Sequence, residues 1–188
     1  NCVTRLSVPA LETAILAVVV TGIGGEHLQH VDGIVEVGQP TLTSDVEVAV
    51  IETGLGGRLD ATNIVQPILS IITNIGLEHT EYLGDSLPKI AREKGGIIKK
   101  CTPVVVGEKN TNYHLVLEEI AADMRSEITY ANEAFSLGEC GFADGKQVVT
   151  LNRTRDGYPY RLRLDLLGEY QRHNLATVAT ALDILHES

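Results

Sequence analysis

Val48-Ala49-Val50-Ile51-Glu52-Thr53-Gly54-Leu55-Gly56-Gly57 is an apolar run that stops at an acid and then breaks into glycines. Apolar residues in unbroken succession suit a strand covered on both faces, the pattern of a parallel sheet. The same pattern recurs downstream. Ile68-Leu69-Ser70-Ile71-Ile72 leads into Asn74 and Gly76, and Val104-Val105-Val106 lies between Pro103 and Gly107. A helical stretch, Ser86 to Lys100, follows the second run, and another, Tyr113 to Arg125, follows the third. Strands alternating with helices predict an α/β fold: a mostly parallel sheet flanked by helices.

Residues 127–166 break that rhythm. Lys146 to Asn152 and Tyr158 to Leu166 are β-like on either side of Asp156-Gly157, which predicts an antiparallel β-hairpin extension. The chain closes with a helix from Tyr170 to His186, its apolar stripe read as Leu175, Val178, Ala179, Leu182 and Leu185. Upstream, Pro9 to Val20 reads as a helix with Pro9 in its first turn, and Thr21 to Gly25 as a loop. No periodicity is sustained from there to residue 45. The chain thus divides into an unassigned segment, 1–45, and an α/β domain, 46–188.

Its 188 residues carry a formal net charge of −10, with 44% hydrophobic and 21% charged residues, the composition of a globular domain. The acidic balance argues against broad nucleic-acid binding, which needs a basic face. No apolar run reaches the ~18 residues of a membrane span. Cys2, Cys101 and Cys140 have neither metal-ligand spacing nor an even count for a disulfide framework, so a reducing, cytoplasmic setting is expected. The first residue is Asn1, which suggests a fragment or a processed product.

Ligands of open parallel sheets bind beyond the carboxyl ends of the strands. Glu52 closes the first run and His79 follows the second, so the two can approach one edge and ligate a divalent cation; a solvated acid and a turn histidine are the plainer alternative. Lys94 sits three or four residues from Ile90, Ile97 and Ile98, in the middle of a buried stripe. Either it snorkels to the surface or pairs with Glu78, Glu81 or Glu93, or burial favours its neutral amine, which can take up carbon dioxide as a metal-binding carbamate. Arg58, Asp60, Thr62 and Asn63 make a polar cluster after the glycines, open to a binding role and to simple turn chemistry alike. Gln171 and Asn174 extend the last helix's stripe to its N-terminus, where they either cap the helix or meet a phosphate.

Four blocks, in order, resemble signatures of the folylpolyglutamate and dihydrofolate synthases, within the wider Mur-ligase-like superfamily. They are Ile51 to Ile64, Ile72 to Thr80, Ile90 to Lys99 and Leu167 to Asn174. The resemblance implies an ATP-dependent amide ligase that phosphorylates a carboxylate of folate or dihydropteroate and couples it to L-glutamate. It implies Glu52 and His79 as magnesium ligands. Lys94 is implied as the lysine that becomes carbamylated, catalytic alongside His79. Gln171 and Asn174 fall on the nucleotide side, and Arg58, Asp60, Ala61 and Asn63 in the loop associated with the pterin. The departures are equally specific. No G-x-x-x-x-G-K-[ST] phosphate loop occurs in the chain, residues 1–45 carry none of the pattern, and the glutamate-binding C-terminal domain is missing. A non-catalytic remnant of the fold and a related Mur-type peptide ligase are the competing expectations.

Overall fold

The structure, a computed structural model, describes residues 15–19, 49–165, 168 and 170–187. Its strands are β1 (Ile15–Val19), β2 (Ala49–Thr53), β3 (Leu69–Ile72), β4 (Val104–Val106), β5 (Ile128–Tyr130), β6 (Phe135–Ala143), β7 (Lys146–Arg153) and β8 (Pro159–Leu164). Its helices are α1 (Thr80–Leu83), α2 (Leu87–Lys94), α3 (His114–Met124), α4 (Ala131–Ala134) and α5 (Tyr170–Glu187). Short 3₁₀ turns cover Ala61–Ile64 and Gly95–Ile97.

The main sheet has the order β2-β1-β3-β4-β5. β3, β4 and β5 are parallel, while β1 is antiparallel to both its neighbours, so β2 runs in the same direction as β3. The pairing is level: Thr53 and Ile72 both face Ile15 across β1, Ile72 pairs with Val106, and Val106 with Tyr130. All four co-directional strands therefore end along one rim.

β3 and β4 are buried throughout, and their pleat feeds two cores. Ile72, Val104 and Val106 join Ile90, Ile97, Leu117 and Tyr113 beneath α2 and α3. Leu69, Ile71 and Val105 join Ala176, Ala181, Phe135 and Leu151 on the other side, under α5 and the smaller sheet. Successive side chains on opposite faces explain why these strands read as unbroken apolar runs.

Several expectations need correcting. Ile15–Val19 is a strand where a helix was expected; Ile15, Val18 and Val19 are β-branched, and such residues pack well on a pleated surface. The rest of that expected helix, the loop after it and Leu166 lie outside the described residues. β2 lies at the edge of the described sheet and Val50 is 41% exposed, so this strand is not covered on both faces. α2 stops at Lys94 instead of Lys100, because Gly95-Gly96 favours a tighter turn over continued α-helix. The hairpin is real but belongs to a three-stranded antiparallel sheet, β6-β7-β8. β6 was not legible, since after Phe135 every residue is exposed and no alternation marks it.

The stripe on α5 holds only in part: Leu175, Ala179 and Leu185 pack half-buried against the core as expected. Val178 and Leu182 are exposed, and the buried face is Gln171, Ala176, Thr177, Thr180 and Ala181. Small residues let the helix lie close to the sheet, and the threonine hydroxyls cost little there because each donates back one turn: Thr180 to the Ala176 carbonyl at 2.8 Å, Thr177 to that of His173 at 3.3 Å.

Candidate functional site

The rim where the four co-directional strands end holds a pocket lined by Thr53, Gly54, Leu55, Gly56, Glu78, His79, Leu83 and Lys94. Three elements build it. The glycine loop leaves β2, Glu78 and His79 follow β3, and Lys94 reaches in from the last turn of α2.

Lys94 is only 5% exposed, as its place in the apolar stripe requires. Burial pulls its pKa below the ordinary lysine value, and attraction to Glu78 opposes that pull. Of the three acids expected to compete for Lys94, Glu78 shares its pocket, whereas Glu93 is committed to Arg58 at 3.0 Å. His79 has left-handed backbone angles (φ 49°, ψ 40°) and starts α1, its carbonyl accepting from Tyr82 and Leu83, both at 2.9 Å. That fold-back turns the chain sharply after β3 and leaves the His79 side chain at the pocket.

Glu52 does not line the pocket; its neighbour Thr53, 8% exposed, does. The alternation of the strand places Ile51 and Thr53 on one face and Glu52 on the other. Partial burial raises the Glu52 pKa above the usual carboxylate value. Lys94 and His79 are thus brought together, with Glu52 one residue from the wall. Glu78 was not singled out from sequence as part of the site; its position beside His79 and its candidacy as a partner of Lys94 are the signals that point to it.

The polar cluster after the glycines is largely occupied. Asp60 Oδ2 accepts from the Gly54 and Leu55 amides at 2.9 and 3.1 Å, and Oδ1 from the Thr62 amide at 2.9 Å and the Thr62 hydroxyl. Burial works against the Asp60 carboxylate, but these hydrogen bonds outweigh it and hold the pKa below the usual value. Arg58 pairs with Glu93, and Asn63 donates to the Arg58 and Gly96 carbonyls. Ala61 is exposed at the start of the 3₁₀ turn.

In the first turn of α5, the helix whose Thr177 lies beside Gly107 after β4, Gln171 is buried, and Asn174 is half-buried. Beside Gln171, the Arg172 guanidinium donates to the oxygen of Gln147, a residue 1% exposed on β7, once that amide is turned to face it (Nε at 2.6 Å, Nη2 at 3.2 Å). A guanidinium only donates, so the amide oxygen must face it. The smaller sheet thereby supports the head of α5.

A sequence profile of the Mur ligase middle domain matches residues 14–182. The chain belongs to this family. The Mur ligase match starts within the segment 1–45. A probable dihydrofolate synthetase from Schizosaccharomyces pombe is 44% identical over 77% of the chain, and folylpolyglutamate synthase from Lacticaseibacillus casei 35% identical over 70%. The chain covers 34% and 30% of those two proteins, about a third of their length. An AMPPCP complex of folylpolyglutamate synthase superposes over 68% of this chain and 31% of its own, with a TM-score of 0.63 and 31% identity. A second structure, the Mycobacterium tuberculosis folylpolyglutamate synthase complexed with ADP and AMPPCP, gives 0.60 and 32% over 70% of this chain and 31% of its own.

The side chains suit a hard cation in part. Among the described residues no three His, Cys, Asp or Glu side chains converge as a metal cage. Magnesium needs no such cage, since it usually takes one or two protein groups and completes its shell with water and phosphate oxygens. Of the acid and imidazole expected to ligate it, only His79 lines the pocket; Glu52 stands one residue outside the wall, and the carboxylate inside is that of Glu78. Among the described residues no helix is long and apolar enough to cross a membrane.

Proposed function

We propose that this chain is part of an ATP-dependent ligase that joins L-glutamate to folate or dihydropteroate through an acyl phosphate, in a reducing, cytoplasmic setting. One observation carries the reading: a lysine kept from solvent at the rim pocket of a Mur ligase middle domain, beside an acid and a histidine. In this reading Glu52 and His79 would hold magnesium, which supplies positive charge beside the phosphates when bound. Gln171 and Asn174 serve the nucleotide at the head of α5, where free N–H groups favour anions. A lysine of lowered pKa is a candidate for carbamylation. Unmodified and protonated, Lys94 instead neutralises charge that develops on the acyl phosphate.

The chain has no glycine-lysine phosphate loop, which favours, for this chain in isolation, a second reading: a domain that keeps the fold without turnover. One assay separates the two. The full-length product of the gene should release ADP only when glutamate and a pteroate or folate are both present, and the isolated 188-residue chain should release none. Silence from the full-length protein as well would support the non-catalytic reading. Turnover by the isolated chain would show that the phosphates are clamped without the missing loop.

A further inference from the structure

The loop between β2 and β3 is fastened to the end of α2 by contacts that the reaction does not explain. Arg58 lays its guanidinium fork on Glu93, with Nε 3.2 Å from each carboxylate oxygen and Nη2 3.0 Å from one. Its backbone N–H also donates to the Glu93 carbonyl at 2.9 Å. Asn63 bridges the two sides, donating to the Arg58 carbonyl at 3.1 Å and the Gly96 carbonyl at 3.2 Å. Lys99 closes the circuit on the Asn63 carbonyl at 2.8 Å. The surfaces meet with no room for side chains. A Cβ at Gly57 would lie 2.8 Å from the Lys94 carbonyl oxygen and 2.9 Å from that of Glu93, and one at Gly96 would lie 2.4 Å from Arg58 Cα.

Lys94 sits between the two fastened points, Glu93 and Gly96. We infer that Arg58 is a positioning residue for Lys94: its grip on Glu93, with Asn63 holding Gly96, sets the last turn of α2 against the glycine loop and so fixes where the amine enters the pocket. The inference builds on the ligase reading only for its catalytic consequence. On this view Arg58 and Asn63 act through the protein and are not contacts to the pterin.

The test is amine-specific labelling of the 188-residue chain with an N-hydroxysuccinimide ester, read by peptide mass spectrometry. Glu93→Gln and Arg58→Ala should each raise the Lys94 labelling rate roughly two- to five-fold, the size expected for a half-exposed ion pair. Lys89, paired with Asp85 on the surface, should label as before. The double reversal, Arg58→Glu with Glu93→Arg, should restore protection. Amide exchange at Val104–Val106 identifies a variant that has simply unfolded, and the near-isosteric Glu93→Gln then decides the matter. Unchanged Lys94 protection in Glu93→Gln, or no recovery in the reversal, overturns the proposal. This readout does not involve ligation, so it stands or falls separately from the enzymatic assignment. In the full-length protein the same variants should lower kcat and leave KM for the folate-type substrate unchanged. A rise in KM alone would make Arg58 a substrate contact and also overturn it.

Discussion

Lys94→Met is expected to abolish glutamate ligation by the full-length protein while leaving the fold at least as stable. Methionine has nearly the length of lysine and suits a buried position three or four residues from Ile90, Ile97 and Ile98 on the apolar stripe, without an amine. Removing a group that stabilises developing charge costs on the order of 10²- to 10³-fold in rate. Stability should move the other way, because a buried ammonium is costly. The sign follows from linkage. The folded-state pKa of Lys94 lies below the ordinary value of 10.5, so between the two values the unfolded chain binds the extra proton. Wild-type stability should therefore rise as pH increases through that window, and the methionine variant should lack that part of the rise. Denaturant titrations of both proteins across the alkaline range check this. A Lys94→Met protein that is less stable at neutral pH and still active would mean that the lysine is held for packing alone.

Gly107→Ala should destabilise the domain by roughly 3 kcal/mol, the upper end of the usual cost of overpacking. A Cβ there would stand 2.1 Å from the Thr73 carbonyl oxygen and 3.1 Å from Thr177 Oγ1. The nearest obstacle is backbone, which cannot swing aside as a flexible side chain would. The Gly107 amide donates to Ile72 at 2.8 Å and its carbonyl accepts from Asn132 at 3.2 Å, so the residue joins the ends of β3, β4 and β5 at the rim. At this chain length, a loss of that size lowers the melting temperature by roughly 6–12 °C. Gly141→Ala is the control, since a Cβ there meets nothing within 4 Å. Calorimetric melting curves compare the two, and equal curves would mean that Gly107 does not pass as close to the Thr73 carbonyl as described.

What was legible in the sequence follows from how each element is buried. β3, β4 and α3 could be read because both sheet faces or a whole helical stripe are apolar. Lys94 stood out because a charge in such a stripe is anomalous. β1 resembled a helix because Ile15-Leu16-Ala17-Val18-Val19 has no polar residue to reveal its period. β6 is a nearly all-exposed strand whose sequence need satisfy only its backbone ladder with β7. The α5 stripe was legible at Leu175, Ala179 and Leu185 but not in full, because complete burial there selects small size: alanines and back-bonded threonines face the sheet, while Val178 and Leu182 do not. In the site, Asp60 looked like a binding residue because a carboxylate that ties down Gly54, Leu55 and Thr62 has the same sequence signature as one that meets a ligand.

If this rim holds a cation beside nucleotide phosphates, Glu52 at the end of β2 is the acid that ATP binding should depend on. The most direct measurement is a calorimetric titration of the chain with ATP, with and without magnesium, repeated with Glu52→Ala. Binding should require magnesium, and the variant should lose about tenfold or more in apparent affinity, the scale on which weakened metal ligation registers. Binding that is indifferent to magnesium, or equal in both proteins, would contradict the account.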